Sequence, residues 1–476
     1  MTSPGPSRRV FLSAAAAAAA AVSVPAGAGA ALAATGKGGS VPGVLGRTTR
    51  PQTPSRELTQ LLDEVDPARI EAIVRRLAAF GTRHTLSSQS DPVRGIGAAR
   101  DWIFEQMKTY AAASGGRMTV ELQSYVQPPV ARIPVTTTIT NVVATLRGSS
   151  DPNRVYVVSG HYDSRATDVN DFTSDAPGAD DDASGVAVAM ELARIMATRT
   201  PEATIVFAAV SGEEQGLFGA NNLAERMKAS GVDLQAMFTN DIVGSSRADD
   251  GTVDGGTVRL FAEGVPTSET AQEASTRQAV GGENDSPSRQ LARFVTDVAE
   301  GKHTGMDVRV IYRRDRYLRG GDHIPFLRRG YAAARFTEPN EDYAHQHQDV
   351  RTEGGRPIGD LPEFCDFDYI ARVTRVNGAT LWSLATGPGT PKNVRVRTDR
   401  LTNDTDLIWD RGSDADLGGY EVLLRETTSP DWTNVVPVGN VTEVRLDTSK
   451  DNVFVGVRAV DTDGHRSPVA FPTPLR

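Results

Sequence analysis

The chain has 476 residues, 39% of them hydrophobic and 23% charged, a composition typical of a soluble globular protein with two or three domains. Its formal net charge of −9 argues against nucleic acid or an anionic membrane as the main partner. The single cysteine, Cys365, excludes an intramolecular disulfide and a thiolate zinc site. A bound metal would therefore need histidine and carboxylate ligands.

The N-terminal segment has the features of an export signal. Arg8 and Arg9 precede an apolar run at residues 14–22, and small residues lead to a predicted cleavage after residue 33. The paired arginines resemble a twin-arginine signal, with an ordinary secretory signal as the alternative. We expect residues 1–33 to be a signal peptide, the mature protein to be secreted, and no membrane span elsewhere. Residues 34–56 are rich in Gly, Pro, Ser and Thr, which predicts a disordered leader.

Residues 57–385 have the pattern of an α/β domain. Apolar runs at 155–158 and 204–210 read as buried strands, and the stretch between them at 185–196 reads as a helix. Strand, helix and strand at this spacing indicate a parallel unit, so we expect a mixed, largely parallel sheet flanked by helices. Residues 244–287 are acidic and rich in Gly, Ser and Thr, which predicts a long loop or insertion.

The composition changes in residues 386–476. A Gly/Pro linker is followed by short strands that are separated by turns at the spacing of a β-sandwich. Trp409 in the second of these strands and the Gly-Tyr-Glu-Val strand around Tyr420 resemble a fibronectin type III domain. We expect an all-β sandwich that binds a surface or a polysaccharide.

Two motifs carry metal-binding side chains near predicted strand ends or helix starts. His161 follows the first buried strand, and Asp163 could orient its imidazole. Three consecutive carboxylates, residues 180–182, precede the next helix. Capping of that helix needs only one of them, so three indicate a nearby cation.

Three further motifs complete the set. Glu213 and Glu214 follow the second buried strand and point in different directions, so one can bind a metal while the other faces the substrate water. Asp241 follows another apolar stretch, and His345 and His347 lie two residues apart in a late polar segment. None of these motifs is specific alone, and their order along the chain gives them weight.

That order resembles the co-catalytic di-zinc aminopeptidases, a branch of the zinc exopeptidases. The resemblance covers residues 57–385 and includes Phe80-Gly81-Thr82-Arg83-His84-Thr85, His161-Tyr162-Asp163-Ser164, the run 178–185, Glu213-Glu214, Asp241, Asp322-His323-Ile324-Pro325-Phe326 and His345 with Asp349. It implies a phosphorylase/hydrolase-like fold and two Zn²⁺ ions per chain. The implied ligands are Asp181 as a bridge, His161 and Asp241 on one zinc, and Glu214 and His345 on the other.

The same resemblance implies catalytic roles for two more residues. Glu213 would be the general base, and Asp163 would hold His161 in its ligating tautomer. A cis peptide is implied between Asp181 and Asp182. His345 is preferred to His347 as the ligand because of its spacing to Asp349.

The sequence departs from the family pattern at the position of an oxyanion-stabilising residue. Ala344 stands where some relatives have a tyrosine that helps to stabilise the oxyanion. Tyr343 or Tyr317 could take that role. Tyr343 and His323 are the candidate substrate or oxyanion contacts.

These assignments predict a secreted, monomeric zinc aminopeptidase. It would hydrolyse N-terminal residues from peptide or protein substrates, with a metal-bridging hydroxide as the nucleophile. The alternatives are a carboxypeptidase, another amide hydrolase of the same fold such as a glutaminyl cyclase, or a catalytically dead binding protein.

Overall fold

The computed structural model of the protein describes residues 45–475, so the predicted signal peptide and residues 34–44 of the predicted leader lie outside the described residues. The strands are β1 (Arg47–Thr48), β2 (Met118–Gln127), β3 (Thr137–Leu146), β4 (Asp151–His161), β5 (Ala203–Val210), β6 (Asp233–Asn240), β7 (Thr257–Phe261), β8 (Asp307–Ile311), β9 (Ala333–Thr337), β10 (Arg351–Glu353), β11 (Arg356–Ile358), β12 (Arg395–Arg397), β13 (Thr405–Ile408), β14 (Leu417–Glu426), β15 (Asn434–Gly439), β16 (Glu443–Leu446), β17 (Val453–Asp461) and β18 (Thr473–Leu475). The α-helices are α1 (Arg56–Asp63), α2 (Pro67–Ala78), α3 (Ile96–Ala112), α4 (Gly185–Met196), α5 (Glu213–Gly216), α6 (Phe218–Ser230), α7 (Ala271–Val280), α8 (Pro287–Ala299), α9 (Ile324–Leu327) and α10 (Phe367–Thr386). A π-type turn spans Ala179–Ser184, and a 3-10 turn spans Pro362–Phe364.

An eight-stranded sheet with the order β2-β3-β5-β4-β6-β9-β7-β8 forms the centre of the fold. Strands β5, β4, β6 and β9 pair in parallel, while β2 and β3 add an antiparallel edge. Helices α2, α3, α4 and α10 contribute to the apolar core that includes side chains of this sheet. The prediction of a mixed, largely parallel sheet flanked by helices is confirmed.

The central strands are buried because their side chains are apolar on both faces. All eight residues of β5 are buried, and helix α4 contributes eleven buried residues to the adjoining core. Such continuous apolar runs are typical of strands that are covered by helices on both sides. The carboxyl ends of β4, β5 and β6 therefore share one edge of the sheet, at which polar side chains can meet.

Residues 244–287 are more ordered than their composition indicates. They contain β7, which pairs with β8 and β9 in the central sheet, and α7, which begins with a capping box between Thr270 and Glu273. The prediction of a long loop is therefore wrong, while the alternative of an insertion stays a prediction. Helix α7 has no buried residue, and β7 has only five residues, so neither gives a strong apolar period.

Two four-stranded sheets follow α10. One has the order β16-β13-β12-β18, the other β1-β15-β14-β17, and they share a core that contains Trp409 packed edge-on against Tyr420. Strand β1 comes from the predicted leader and pairs with β15 more than 380 residues later, as Arg47 opposite Val435. Because Ser55 also caps α1, the prediction of disorder is wrong for residues 45–56.

No helix of the described residues is long and apolar enough to cross a membrane.

Candidate metal centre

The candidate ligands converge at the carboxyl edge of the parallel strands. His161 is the last residue of β4, and Asp241 directly follows β6. Glu213 and Glu214 begin α5, and two residues separate α5 from the end of β5. Asp181 lies in the π-type turn before α4, and the peptide bond between Asp181 and Asp182 is cis, so the expected cis bond is confirmed.

Two trios of side chains share Asp181. Its Oδ1 lies 3.0 Å from His161 Nε2, which is 3.9 Å from Asp241 Oδ1. Its Oδ2 lies 2.8 Å from His347 Nε2, which is 2.9 Å from Glu214 Oε1. Within each trio the ligand atoms all lie within 4.8 Å of one another. Each oxygen of Asp181 therefore faces a different cluster, which is the arrangement of a bridging ligand.

The donor atoms fit metal ions better than they fit one another. His161 Nε2, His347 Nε2 and Glu214 Oε1 are buried, and none has a partner in hydrogen-bond geometry among the described residues. Buried polar atoms are normally hydrogen-bonded, so unpartnered atoms that converge indicate a ligand-binding site. Imidazole nitrogens and carboxylate oxygens are donors that Zn²⁺ accepts. Each trio could therefore hold one ion.

Electrostatics supports the same conclusion. Burial, together with repulsion from Asp241 and Asp181, raises the pKa of Asp182 well above its usual range. Burial, with repulsion from Asp241 and Asp163, raises the pKa of Asp322 to about 8. Ionisation of these buried carboxyl groups is therefore unfavourable in the protein alone, and bound cations would favour it.

The structure corrects the choice between the two late histidines. His347, not His345, contacts Asp181 and Glu214. The ring of His345 instead stacks on Phe364 with ring centroids 3.5 Å apart. His347 has a φ of 57°, a left-handed conformation that local sequence did not indicate. The spacing argument failed because Asp349 binds Thr167 through two hydrogen bonds rather than orienting His345.

Asp163 lies beside His161 as predicted, but its main-chain carbonyl and its carboxylate have different partners. Its main-chain carbonyl lies 3.1 Å from His161 Nδ1, whereas its carboxylate is 3.7 Å away. The carboxylate instead accepts hydrogen bonds from the backbone N–H groups of Glu213 and Glu214, at 3.3 and 3.1 Å. The carbonyl is thus placed to fix the His161 tautomer, and the carboxylate fixes the turn that carries both glutamates.

Glu213 is the one acidic residue of the cavity lining that belongs to neither trio. It faces a cavity of about 660 Å³ that is also lined by Asp181, Glu214 and Asp241. Burial raises the pKa of Glu213 well above its usual range. Repulsion from Asp241 and Glu214 adds to this rise, while attraction to His161 opposes it. A carboxyl group beside the cluster and facing a cavity can exchange a proton with a bound reactant.

The two candidate oxyanion contacts differ in position. Tyr343 lines the cavity and is 57% exposed, so it can meet a substrate. His323 is fully buried outside the cavity lining, where its Nε2 lies 2.8 Å from the Arg314 carbonyl oxygen. The expectation of a substrate contact is wrong for His323, because its ring is turned into the protein. Burial also lowers its pKa.

Several supporting residues were missed by sequence reasoning. The Asp360 carboxylate accepts hydrogen bonds from the backbone N–H groups of Asp180 and Asp181, each 2.8 Å long. Gln346 Nε2 donates to Asp181 Oδ2 at 3.0 Å, and Arg335 Nη2 donates to Asp241 Oδ1 at 2.8 Å. Of these residues only Arg335 could have been identified from the sequence, because a charged residue within the apolar β9 implies a buried partner of opposite charge. The others come from loops far along the chain.

Comparisons with known proteins identify a family and relatives of the chain. Residues 141–353 match the model of peptidase family M28. A probable zinc metalloprotease of Leptosphaeria maculans is 56% identical over 421 residues, covering 88% of this chain and 98% of the relative. One from Pyricularia oryzae is 55% identical over 436 residues, covering 90% of this chain and 87% of the relative. The structure of the LapA aminopeptidase of Legionella pneumophila is similar at 16% identity and a TM-score of 0.49, over 71% of this chain and 76% of that one.

An α/β fold with histidine and carboxylate trios at its strand ends, together with these relatives, defines the chain as a zinc metallopeptidase. It belongs to peptidase family M28.

Proposed function

We propose that the protein is a di-zinc aminopeptidase with Glu213 as its general base. The observation that carries the proposal is the division of the two Asp181 oxygens between separate trios, with Glu213 left free beside them. The amino-terminal direction of attack rests on the resemblance of the ordered motifs to aminopeptidases. His161 and Asp241 would hold one ion, Glu214 and His347 the other, and Asp181 would bridge them.

The metal ions and the side chains would have separate roles in peptide hydrolysis. Bound zinc supplies Lewis acidity, which polarises the scissile carbonyl and acidifies water. Glu213 removes a proton from the attacking water and delivers it to the leaving amine nitrogen. Tyr343 is the candidate donor to the oxyanion because it lines the cavity. Asp163 keeps the backbone at Glu213 and Glu214 in place while that transfer occurs.

The test is Glu213→Gln compared with Glu225→Gln, since Glu225 is an exposed glutamate on α6. Glu213→Gln should retain two zinc ions per chain by elemental analysis but lose hydrolysis of amino-acid p-nitroanilides by about 100-fold or more. Glu225→Gln should behave as wild type. Unchanged turnover in Glu213→Gln would exclude it as the base, and one zinc per wild-type chain would contradict the di-zinc proposal.

Carboxypeptidase action is the second candidate, and one observation favours it. Four arginines line the cavity: Arg132, Arg165, Arg316 and Arg319. A C-terminal carboxylate would be attracted to such a wall. Hydrolysis of N-blocked peptides with a free C-terminus, without action on p-nitroanilides, would establish this alternative over the aminopeptidase.

We also propose that the protein is exported and that residues 386–476 are a fibronectin type III-like domain. Export is supported by the paired Arg8 and Arg9 before an apolar run, and the domain by the shared core of the two late sheets. N-terminal sequencing of protein from the culture medium tests export. A start near residue 34 is expected, and an intact Met1 would contradict it.

A further inference from the structure

The cavity at the metal centre has an unusual charge balance. The carboxylates that line it are Asp181, Glu213, Glu214 and Asp241, which belong to the trios or lie beside them. Two divalent ions would offset these four negative charges. The arginines of the lining would then leave the cavity positively charged, which favours a negatively charged group on the substrate.

Two of the lining arginines already have a carboxylate partner. Arg316 Nη1 and Arg319 Nη1 lie 3.0 and 2.9 Å from Glu341 Oε2. The other oxygen of Glu341 lies 3.3 Å from Arg259. Arg316 also lies 3.2 Å from Asp315. Three guanidinium groups therefore face two carboxylates, so even this part of the wall keeps a net positive charge.

The other two lining arginines are held by main-chain carbonyls. Arg132 Nη1 donates to the carbonyl oxygen of Glu214 at 3.0 Å. Arg165 donates to the carbonyl oxygens of Ala166 and Thr167, at 3.1 and 3.0 Å. Within residues 45–475 neither has an ion-pair partner. Since a guanidinium group has five N–H donors, both keep donors for a ligand.

We propose that Arg132 and Arg165 form a subsite for a carboxylate group of the peptide substrate. Guanidinium groups bind carboxylates through charge-assisted, often bidentate hydrogen bonds, and the carbonyl contacts orient these two before a substrate arrives. The contact of Arg132 with Glu214 ties this subsite to the metal centre. The inference rests on the proposed hydrolysis of peptides and names the substrate class: peptides with a carboxylate near the scissile bond.

That carboxylate can be the C-terminus of a short peptide or an acidic side chain, and matched substrates separate the two. One pair of peptides has the same sequence with a free or an amidated C-terminus. The other pair has Glu or Gln at the residue beside the scissile bond, in otherwise identical, C-terminally amidated peptides. We expect wild-type kcat/KM to be at least about 10-fold higher for the carboxylate member of one pair, the gain typical of a charge-assisted contact.

Arg132→Gln and Arg165→Gln should each lower this acid-over-amide ratio by about 10-fold. The matched control is Arg226→Gln, an exposed arginine of α6 that bonds Asn222 and the Ser124 carbonyl outside the cavity. It should keep the wild-type ratio. A ratio near one in the wild-type enzyme, or a ratio unaffected by both cavity variants, would overturn the proposed subsite.

Binding separates failure of the subsite from failure of the proposed function. In the zinc-loaded Glu213→Gln background, calorimetry should show tighter binding of the preferred carboxylate peptide than of its amide. Adding Arg165→Gln should remove the difference. If that difference is present while no peptide is hydrolysed by the wild type, the proposed function is wrong and the subsite stands. If peptides are hydrolysed but the carboxylate peptide and its amide bind equally well, the subsite is wrong and the proposed function stands.

Discussion

His345 and His347 lie two residues apart after β9 and occupy opposite environments. His347 Nε2 lies within 2.9 Å of both Asp181 and Glu214, whereas His345 stacks on Phe364. We predict that His347→Ala binds one zinc ion fewer per chain and loses hydrolysis by about 100-fold or more, because a direct ligand contributes at least as much as a supporting residue. Elemental analysis and turnover of a p-nitroanilide measure both effects.

His345→Ala is the matched control for this prediction. It removes a stacked ring but no atom of either trio, so zinc content should equal that of the wild type. Loss of one zinc ion in His345→Ala, with full content in His347→Ala, would reverse the assignment.

The site could be predicted from sequence where a proposed ligand lies at the end of a strand or beside the start of a helix. His161, Asp181, Glu214 and Asp241 all belong to this kind, because strand ends fix where their side chains point. His347 could not be distinguished from its neighbour, since its left-handed backbone depends on the surrounding loop. The bonds from Asp360 to the backbone of the aspartate turn join segments 180 residues apart and leave no local pattern.

At the scale of elements, the end of β4 and the start of α4 are in close backbone contact. A Cβ on Gly160 would lie 2.3 Å from the carbonyl carbon of Gly185 and 2.4 Å from the nitrogen of Val186. We predict that Gly160→Ala destabilises the protein by about 1–3 kcal/mol, because neither backbone can move without displacing proposed metal ligands. Urea unfolding gives the free energy, and zinc content should fall with it.

Gly256→Ala is the control, because a Cβ there meets no atom within 4 Å and the backbone needs no positive φ. Its stability should be that of the wild type. Equal stability of Gly160→Ala would mean that the strand and helix are free to separate.

Elements with a strong apolar period were predictable and weakly periodic ones were not. The buried strands β4 and β5 and helix α4 follow from runs of apolar residues. Strands β1 and β7 were missed, because a two-residue edge strand and a five-residue strand depend on partners that are distant in the chain. Pairing of this kind is set by tertiary structure rather than by local propensity.

At the scale of the whole molecule, buried ion pairs join α8 to the late sheets. Asp285 lies 3.0 Å from Arg293 and 2.6 Å from Arg425 of β14, and all three side chains are nearly inaccessible. We predict that Asp285→Asn destabilises the protein by about 3 kcal/mol or more, because it removes the buried carboxylate that both guanidinium groups share and leaves Arg293 only the more distant Asp431, at 3.8 Å. Chemical unfolding measures this loss.

Asp406→Asn provides the comparison, since Asp406 pairs with Arg445 at the surface of the late sheets. Its cost should be below about 1 kcal/mol, as for other exposed pairs. Equal costs in the two variants would show that the junction contributes no more to stability than a surface pair.

Stability also depends on pH through Glu202, whose charged neighbours are not those of the Asp285 ion pairs. Burial, together with Asp416 and Asp414 from the late sheets, raises the pKa of Glu202 from 4.5 to about 7. A raised carboxyl pKa means that the folded protein holds this proton more tightly than the unfolded chain, so stability is lost as the pH rises from about 4.5 through 7. Glu202→Gln, which cannot ionise, should avoid that loss.

We therefore predict that Glu202→Gln is more stable than wild type at pH 8 by about 1 kcal/mol, a figure reduced for partial solvent screening. The difference should shrink as the pH falls from 7 toward 4.5, and it should vanish below 4.5, where Glu202 becomes protonated in both states. Urea unfolding at pH 5 and pH 8 measures it, with the exposed Glu443→Gln as a control that should match wild type at both. If Glu202→Gln is less stable than wild type at pH 8, the Glu202 carboxylate is stabilised by Arg154. In that case repulsion from Asp414 and Asp416 does not destabilise the folded protein.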